Sequence, residues 1–129
     1  MKKQFGFTLI EILVVATIMI LLTMIGLVSY QSVGVKARNG KRAADVENVR
    51  SALVLYRTDN TGYPDSSSFG AMMADIAEYV STDTFTDPKD TAPYVYTYEP
   101  SGCSGGVCRS FEVCYHTEPN ATEVCVRNP

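Results

Sequence analysis

The stretch that decides the reading of this chain is Met1-Lys2-Lys3-Gln4-Phe5-Gly6-Phe7-Thr8-Leu9-Ile10-Glu11, followed without a break by Ile-Leu-Val-Val-Ala-Thr-Ile-Met-Ile-Leu-Leu-Thr-Met-Ile-Gly-Leu-Val over positions 12–28. Between Phe7 and Val28 the one ionisable side chain is Glu11. An apolar run of about twenty residues is long enough to cross a bilayer as a helix. An ordinary secretory signal places a small-residue cleavage pattern after its apolar region, and none follows this run. The small residue is instead Gly6, ahead of the run. A carboxylate inside such a run costs about 2–4 kcal/mol on insertion scales unless it finds a partner.

Cutting the chain after Gly6 would create that partner, a free α-amino group on Phe7, one helical turn from Glu11. A neighbouring copy shifted by one step would bring its amine to this carboxylate in a low-dielectric setting, where the pair counts for more than in water. The pair would also fix axial register, because any other stagger buries an uncompensated charge. The run from Met1 to Glu11 resembles the class III signal of type IV pilins and of the pseudopilins of type II secretion. That resemblance implies cleavage between Gly6 and Phe7 by a prepilin peptidase, N-methylation of Phe7, and a register role in assembly for Glu11. It further implies a homo-oligomeric filament, an inner-membrane assembly platform and minor pilins as partners, and membrane lipid as the environment before assembly. The expected location is the bacterial cytoplasmic membrane, single-pass with the head outside the cytoplasm, and then an extracellular or periplasmic filament. Many relatives carry a helix-kinking proline late in the apolar run; here Gly26, followed by Gly34 and Gly40, weakens the helix instead, each by roughly 1 kcal/mol relative to Ala.

Charge is distributed unevenly. Lys36, Arg38, Lys41 and Arg42 cluster after the apolar run, whereas from Thr58 onward eleven acidic residues face only Lys89, Arg109 and Arg127. A net-acidic head argues against direct, sequence-independent binding of nucleic acid. The basic collar is expected to meet acidic head surfaces of neighbouring copies. Val46, Val49, Leu53 and Tyr56 fall at helical spacing, with Lys41, Arg42, Asp45 and Arg50 assigned to the other face. One helix from about Thr8 to Arg57 would be roughly 75 Å long.

The fold expected is α+β and type IV pilin-like: a spine helix over about 8–57, packed by its second half on a small head with a short helix and a three-stranded antiparallel sheet. Residues 1–6 form the leader, 7–29 the membrane or filament-core half, and 30–129 the head with the amphipathic half of the helix. Asp59-Asn60-Thr61-Gly62-Tyr63-Pro64 is rich in turn formers and closes the spine. Together with the stretch from Leu53 onward it also resembles the spine-to-loop junction of major pseudopilins. Ser66 to Ser68 offer caps for a helix over about 70–80, with Met72, Met73, Ile76 and Val80 inward. Strands are expected at Tyr94–Tyr98, Arg109–His116 and Glu123–Arg127, with turns at Ser104–Val107 and Pro119–Asn120. Alternation places Tyr94, Tyr96, Tyr98, Phe111, Val113, Tyr115, Val124 and Val126 on the face toward the spine and all four cysteines on the other.

Cys103, Cys108, Cys114 and Cys125 make an even set, which in a small tethered head reads as a disulfide framework. The strand register favours Cys103–Cys108 and Cys114–Cys125. Four cysteines admit three pairings, and the crossed set Cys103–Cys125 with Cys108–Cys114 is an alternative. Zinc is disfavoured, since the spacing lacks paired C-x2-C knuckles and His116, read as an exposed strand residue, adds little. No catalytic constellation is visible, so the chain reads as a structural protein and not as an enzyme.

Major pseudopilins usually bind calcium in an acidic C-terminal loop. The stretch from Glu99 to Gly106 carries a single carboxylate, too few for a shell of six to eight oxygens. Asp83, Asp87 and Asp90 are the other calcium candidates, read more simply as solvated turn residues, and the cysteine bridges are a possible substitute for the metal. Asn120-Ala121-Thr122 is an N-x-T sequon on a turn. Which filament the chain would build is open between a surface pilus for attachment, motility or DNA uptake and a secretion pseudopilus. The alternative is a signal-anchored extracytoplasmic binding domain that never polymerises.

Overall fold

The computed structural model describes residues 6–81 and 85–128. Its first element, α1, runs Leu9–Asn60 over 52 residues, beginning and ending close to the limits expected from the sequence. The chain divides into two compact units, one ending at Lys36 and the other beginning at Ala37.

In the first unit every residue from Gly6 to Leu27 is exposed, Leu9 to 83% and Ile25 to 68%. About half of these residues are β-branched and weak helix formers, so propensity alone does not account for the helix. An apolar segment satisfies its backbone polar groups internally as a helix, and its all-round apolar surface has no face directed inward. In the second unit the burial becomes periodic: Arg42, Val46, Val49, Ala52 and Leu53 are buried, and Tyr56 is half-buried. Spacings of three and four put these residues on one stripe, which covers the sheet. Arg42 was assigned to the outer charged face, and this is corrected: its side chain is fully buried, four residues before Val46 and so on the same face.

The helix ends with Thr61 in the left-handed region at φ 60°, the conformation that commonly terminates helices. Gly62 serves a different need. A Cβ there would lie 2.8 Å from the Val107 Cβ and 3.0 Å from the Cys108 carbonyl, so its absence lets β1 (Tyr63–Pro64) pair antiparallel with β3 (Val107–Cys108). A two-residue pair of this kind is too short for any alternation to announce, and it was not anticipated.

Ser68 caps α2 (Phe69–Asp75), its hydroxyl accepting from the Ala71 amide at 3.2 Å. The expected helix over 70–80 is divided: a 3-10 turn covers Ala77–Tyr79. Met72 and Ile76 are fully buried, as their positions predict.

The main sheet is antiparallel in the order β2-β4-β5, with β2 at Thr97–Ser101, β4 at Ser110–Thr117 and β5 at Thr122–Arg127. Cys114 lies opposite Cys125 and Tyr115 opposite Val124, the register the Pro119-Asn120 turn implies. The first strand starts at Thr97, three residues later than expected, because residues 91–94 form a turn in which the Tyr94 amide donates to the Thr91 carbonyl at 2.7 Å. Gly105 and Gly106 both have positive φ, 64° and 84°, so the expected four-residue loop is a tight turn closed between Ser104 and Val107.

Tyr96, Tyr98, Phe111, Val113 and Tyr115 are buried against the α1 stripe, with Val124 and Val126 packed at its margin. Phe111 meets Tyr63 edge to face at 4.6 Å. The placing of all four cysteines on the opposite face is corrected for Cys108, which belongs to the core at 1% exposure. It sits on β3 rather than in the three-stranded sheet, and Arg109, whose amide donates to the Ser101 carbonyl at 3.2 Å, separates the two.

The stripe makes a sharp contrast testable. Leu53→Ala, in the fully buried row, should cost about 2–5 kcal/mol in denaturant unfolding of the full chain in mild detergent. Leu55→Ala, on the exposed side of the same turn, should stay within about 0.5 kcal/mol of the parent.

Candidate assembly site

Gly6 and Phe7 precede α1 in exposed chain outside any helix or strand, with Phe7 83% exposed. Thr8 and Glu11 then cap the helix reciprocally. The Thr8 amide and hydroxyl donate to Glu11 Oε2 at 3.3 and 3.1 Å, and the Glu11 amide donates to Thr8 Oγ1 at 3.3 Å. This is a capping box, which satisfies amides that the first helical turn leaves without partners. The carboxylate also lies at the positive end of the helix dipole. Within the chain Glu11 therefore already has donors, from the cap of its own helix. A Phe7 amine from a neighbour would join or displace Thr8 instead of filling a void. The T-x-x-E spacing at the head of an apolar run is the sequence signal for this arrangement, and the reading from charge alone passed over it.

The cysteines are joined as Cys103–Cys108 and Cys114–Cys125, the second across the paired β4 and β5 positions. Asp65 lies near the first pair and Glu112 near the second, but sulfurs bound to each other are not the thiolates that a zinc site requires. His116 is half-buried rather than exposed, and its Nδ1 has no hydrogen-bond partner among the described residues. Asn120 is exposed in the turn between β4 and β5.

The calcium candidates do not come together. Asp83 lies outside the described residues. Asp90 is exposed with its backbone at φ 47°. Asp87 is buried, and both of its oxygens are committed to Arg42: Nε donates to Oδ2 at 2.6 Å and Nη2 to Oδ1 at 2.9 Å, while the Lys89 amide adds a third bond at 2.8 Å. Glu99 is exposed on β2. Among the described residues the carboxylates expected to hold calcium thus offer no shell of free oxygens.

What the acidic residues build is an ion cluster. Glu118, buried just after β4, takes both prongs of Arg38 at 2.7 Å, Arg42 Nη1 at 2.9 Å and Lys89 Nζ at 3.0 Å. Asn39 clamps the same residue by its backbone, accepting from its amide at 3.0 Å and donating to its carbonyl at 2.9 Å. Arg42 completes its set by donating to Asn39 Oδ1 at 2.7 Å and lies over the Tyr94 ring, 5.0 Å from its centroid. The expectation that the basic collar meets neighbouring copies is corrected for Arg38 and Arg42, which meet acidic residues of their own head. Lys41 likewise pairs with Asp45 at 3.4 Å and donates to the Thr86 carbonyl at 3.2 Å.

These contacts shift titrations in opposite senses at the two ends of the pH scale. The Arg38 fork, aided by Lys89 and Arg42, overcomes burial and holds Glu118 well below the usual carboxylate range. Burial alone would raise Asp87, but the Arg42 fork and the Lys89 amide outweigh it and its pKa is lowered. Burial raises Tyr96, helped by its bond to Asp45 at 2.9 Å, and burial raises Tyr98, whose hydroxyl donates to the Pro64 carbonyl at 2.8 Å. Depressed carboxylates stabilise the fold above their unfolded values and lose that contribution as pH falls; raised phenols stabilise it below about 10 and lose it above. Melting temperature plotted against pH should therefore fall on the acid side from about pH 4.5 downward and on the alkaline side above about pH 10. Glu118→Gln should lower the neutral-pH value and flatten the acid limb while leaving the alkaline limb in place.

Comparison with known proteins bears on the first unit most directly. Residues 1–27 match the model for the prokaryotic N-terminal methylation motif. The chain is also similar to type II secretion system core protein G of Vibrio cholerae serotype O1, 36% identical over 64 residues that make up 50% of this chain and 44% of that protein. The same protein of Pectobacterium carotovorum subsp. carotovorum matches at 36% identity over 64 residues, 50% of this chain and 41% of its own length. The match thus spans less than half the length of these curated relatives. No solved structure matches the chain. The chain thus joins a prokaryotic N-terminal methylation motif to a fold of pilin-like α+β type, a long N-terminal helix with a small head, and is distantly similar over half its length to type II secretion system core protein G.

Proposed function

We propose that this protein is a structural subunit of a type IV pilus-like filament. It would be inserted in the cytoplasmic membrane as a precursor, cut between Gly6 and Phe7 by a prepilin peptidase, N-methylated at Phe7, and polymerised through the apolar part of α1. The observation that carries the reading is the apolar helix surface from Leu9 to Leu27, exposed on all sides in the single chain and interrupted only by a carboxylate beside the cleavage point. The helix is long and apolar enough to cross a membrane, so lipid would cover that surface before assembly and other copies after it. An assembly platform in the inner membrane and minor pilins would be the further partners. Similarity to core protein G favours the secretion pseudopilus among the possible filaments, while a disulfide-closed head that gathers no calcium shell among the described residues favours a surface pilus.

A second reading, a membrane-anchored domain that does not polymerise, draws support from the Thr8–Glu11 cap, which lets the carboxylate be satisfied within one chain. The two readings separate in one experiment. Shear or detergent fractions of cells making the chain should contain fibres whose subunit begins at methylated Phe7, and Glu11→Val should abolish them while leaving membrane insertion intact. A parent chain that remains monomeric whenever it is extracted would support the anchor.

A further inference from the structure

Three segments meet at Arg42: the helix itself, the loop carrying Asp87 and Lys89, and the turn carrying Glu118. Neither disulfide reaches α1 or that loop, since the bridges join 103 to 108 and 114 to 125. The bridges therefore cannot do what a metal bound by the loop would do. We propose that Arg42 is the resident cation of this head, closing it between Asp87 and Glu118 so that its stability is independent of calcium.

The coordination arithmetic supports this. A carboxylate offers about four lone-pair sites. Glu118 receives two bonds from Arg38 and one each from Arg42 and Lys89, and Asp87 receives two from Arg42 and one from the Lys89 amide. Calcium needs six to eight oxygens, and these two carboxylates have almost no capacity left to give. Charge points the same way. Arg38, Arg42 and Lys89 outnumber Asp87 and Glu118 by one and the adjacent Lys41 and Asp45 cancel, so even with the nearby Asp90 counted the site carries no surplus negative charge to draw a divalent cation. Burial makes the substitution tight: the Arg42 side chain is 0% exposed, Asp87 1% and Glu118 4%. A planar guanidinium suits the place because it can present one edge to Asp87 while its remaining nitrogen serves Glu118 and Asn39, which a point charge such as lysine cannot do.

The test uses the full-length oxidised chain in mild detergent, melted in millimolar calcium and again in excess EGTA. It reads head closure whether or not the chain polymerises. The parent should melt at the same temperature in both, within about 1 °C, since a ligand that does not bind the folded state cannot shift its melting. Arg42→Met should melt lower by on the order of 10 °C, because two buried carboxylates lose a shared partner. Arg42→Lys should fall between. The double variant Arg42→Met with Asp87→Asn should recover part of the loss, as the second change removes a charge the first left unpaired; it also keeps the comparison open if Arg42→Met alone does not fold. A parent melting several degrees higher in calcium than in EGTA would overturn the proposal. So would Arg42→Met melting like the parent, or a double variant less stable than the single.

Discussion

From Leu9 to Leu27 the chain presents apolar side chains on every side of one helix, and no other part of the described chain covers them. Water is a poor environment for such a surface, at roughly 25 cal/mol for each Å² left exposed. Lipid would remove that cost for a single chain. Because acyl chains are as apolar as leucine, the hydrophobic effect then offers little reason for one such helix to leave lipid for another. Close packing and polar contacts have to supply the difference. This is why the few polar atoms in the segment matter beyond their number, and why the geometry of Thr8 and Glu11 would bear on the proposed assembly. A carboxylate already held by its own helix cap would be cheaper to carry in a membrane, and in the proposed filament a neighbour's amine would join or displace that cap.

The second half of the same helix solves a different problem. It must hold a small head that has few residues to build a core, and it does so with one stripe that is apolar from Val46 to Leu53 and ionic at Arg42. Buried ion pairs are weak sources of net stability, since desolvation offsets much of their attraction, but breaking one is costly and their directionality selects a single arrangement. Here the selected arrangement fixes the loop at Asp87 and the turn at Glu118 against the helix. The disulfides act elsewhere, closing the turn between β2 and β3 and the β4–β5 hairpin.

Much of the fold was legible because its signals are periodic. The 46, 49, 53 spacing, the alternation through Phe111, Val113 and Tyr115, and the turn at Pro119-Asn120 each specify geometry locally, and the cysteine register follows from the turn. What was missed lies where charge and period disagree. Arg42 sits four residues before Val46, so the stripe includes it, yet its charge argued for solvent; only the distant partners Asp87 and Glu118 make burial tolerable, and neither is signalled by local sequence. Tyr94 left its expected strand for the same reason, drawn under Arg42 and Lys89. The β1–β3 pair rests on a close approach permitted by Gly62, visible only once both strands are placed. At the N-terminus the signal is local: the capping box is fully written in Thr8-Leu9-Ile10-Glu11, whose T-x-x-E spacing meets the cost of the carboxylate within one helical turn.

The measurement that bears most directly on the account is electron cryomicroscopy of assembled material released from cells that make this chain. The account predicts fibres in which residues 9–27 of each subunit form the axis and pack against the same residues of neighbouring subunits, with the heads outermost. Fibres whose axis is built from head contacts, with this segment still in lipid or detergent, would contradict it.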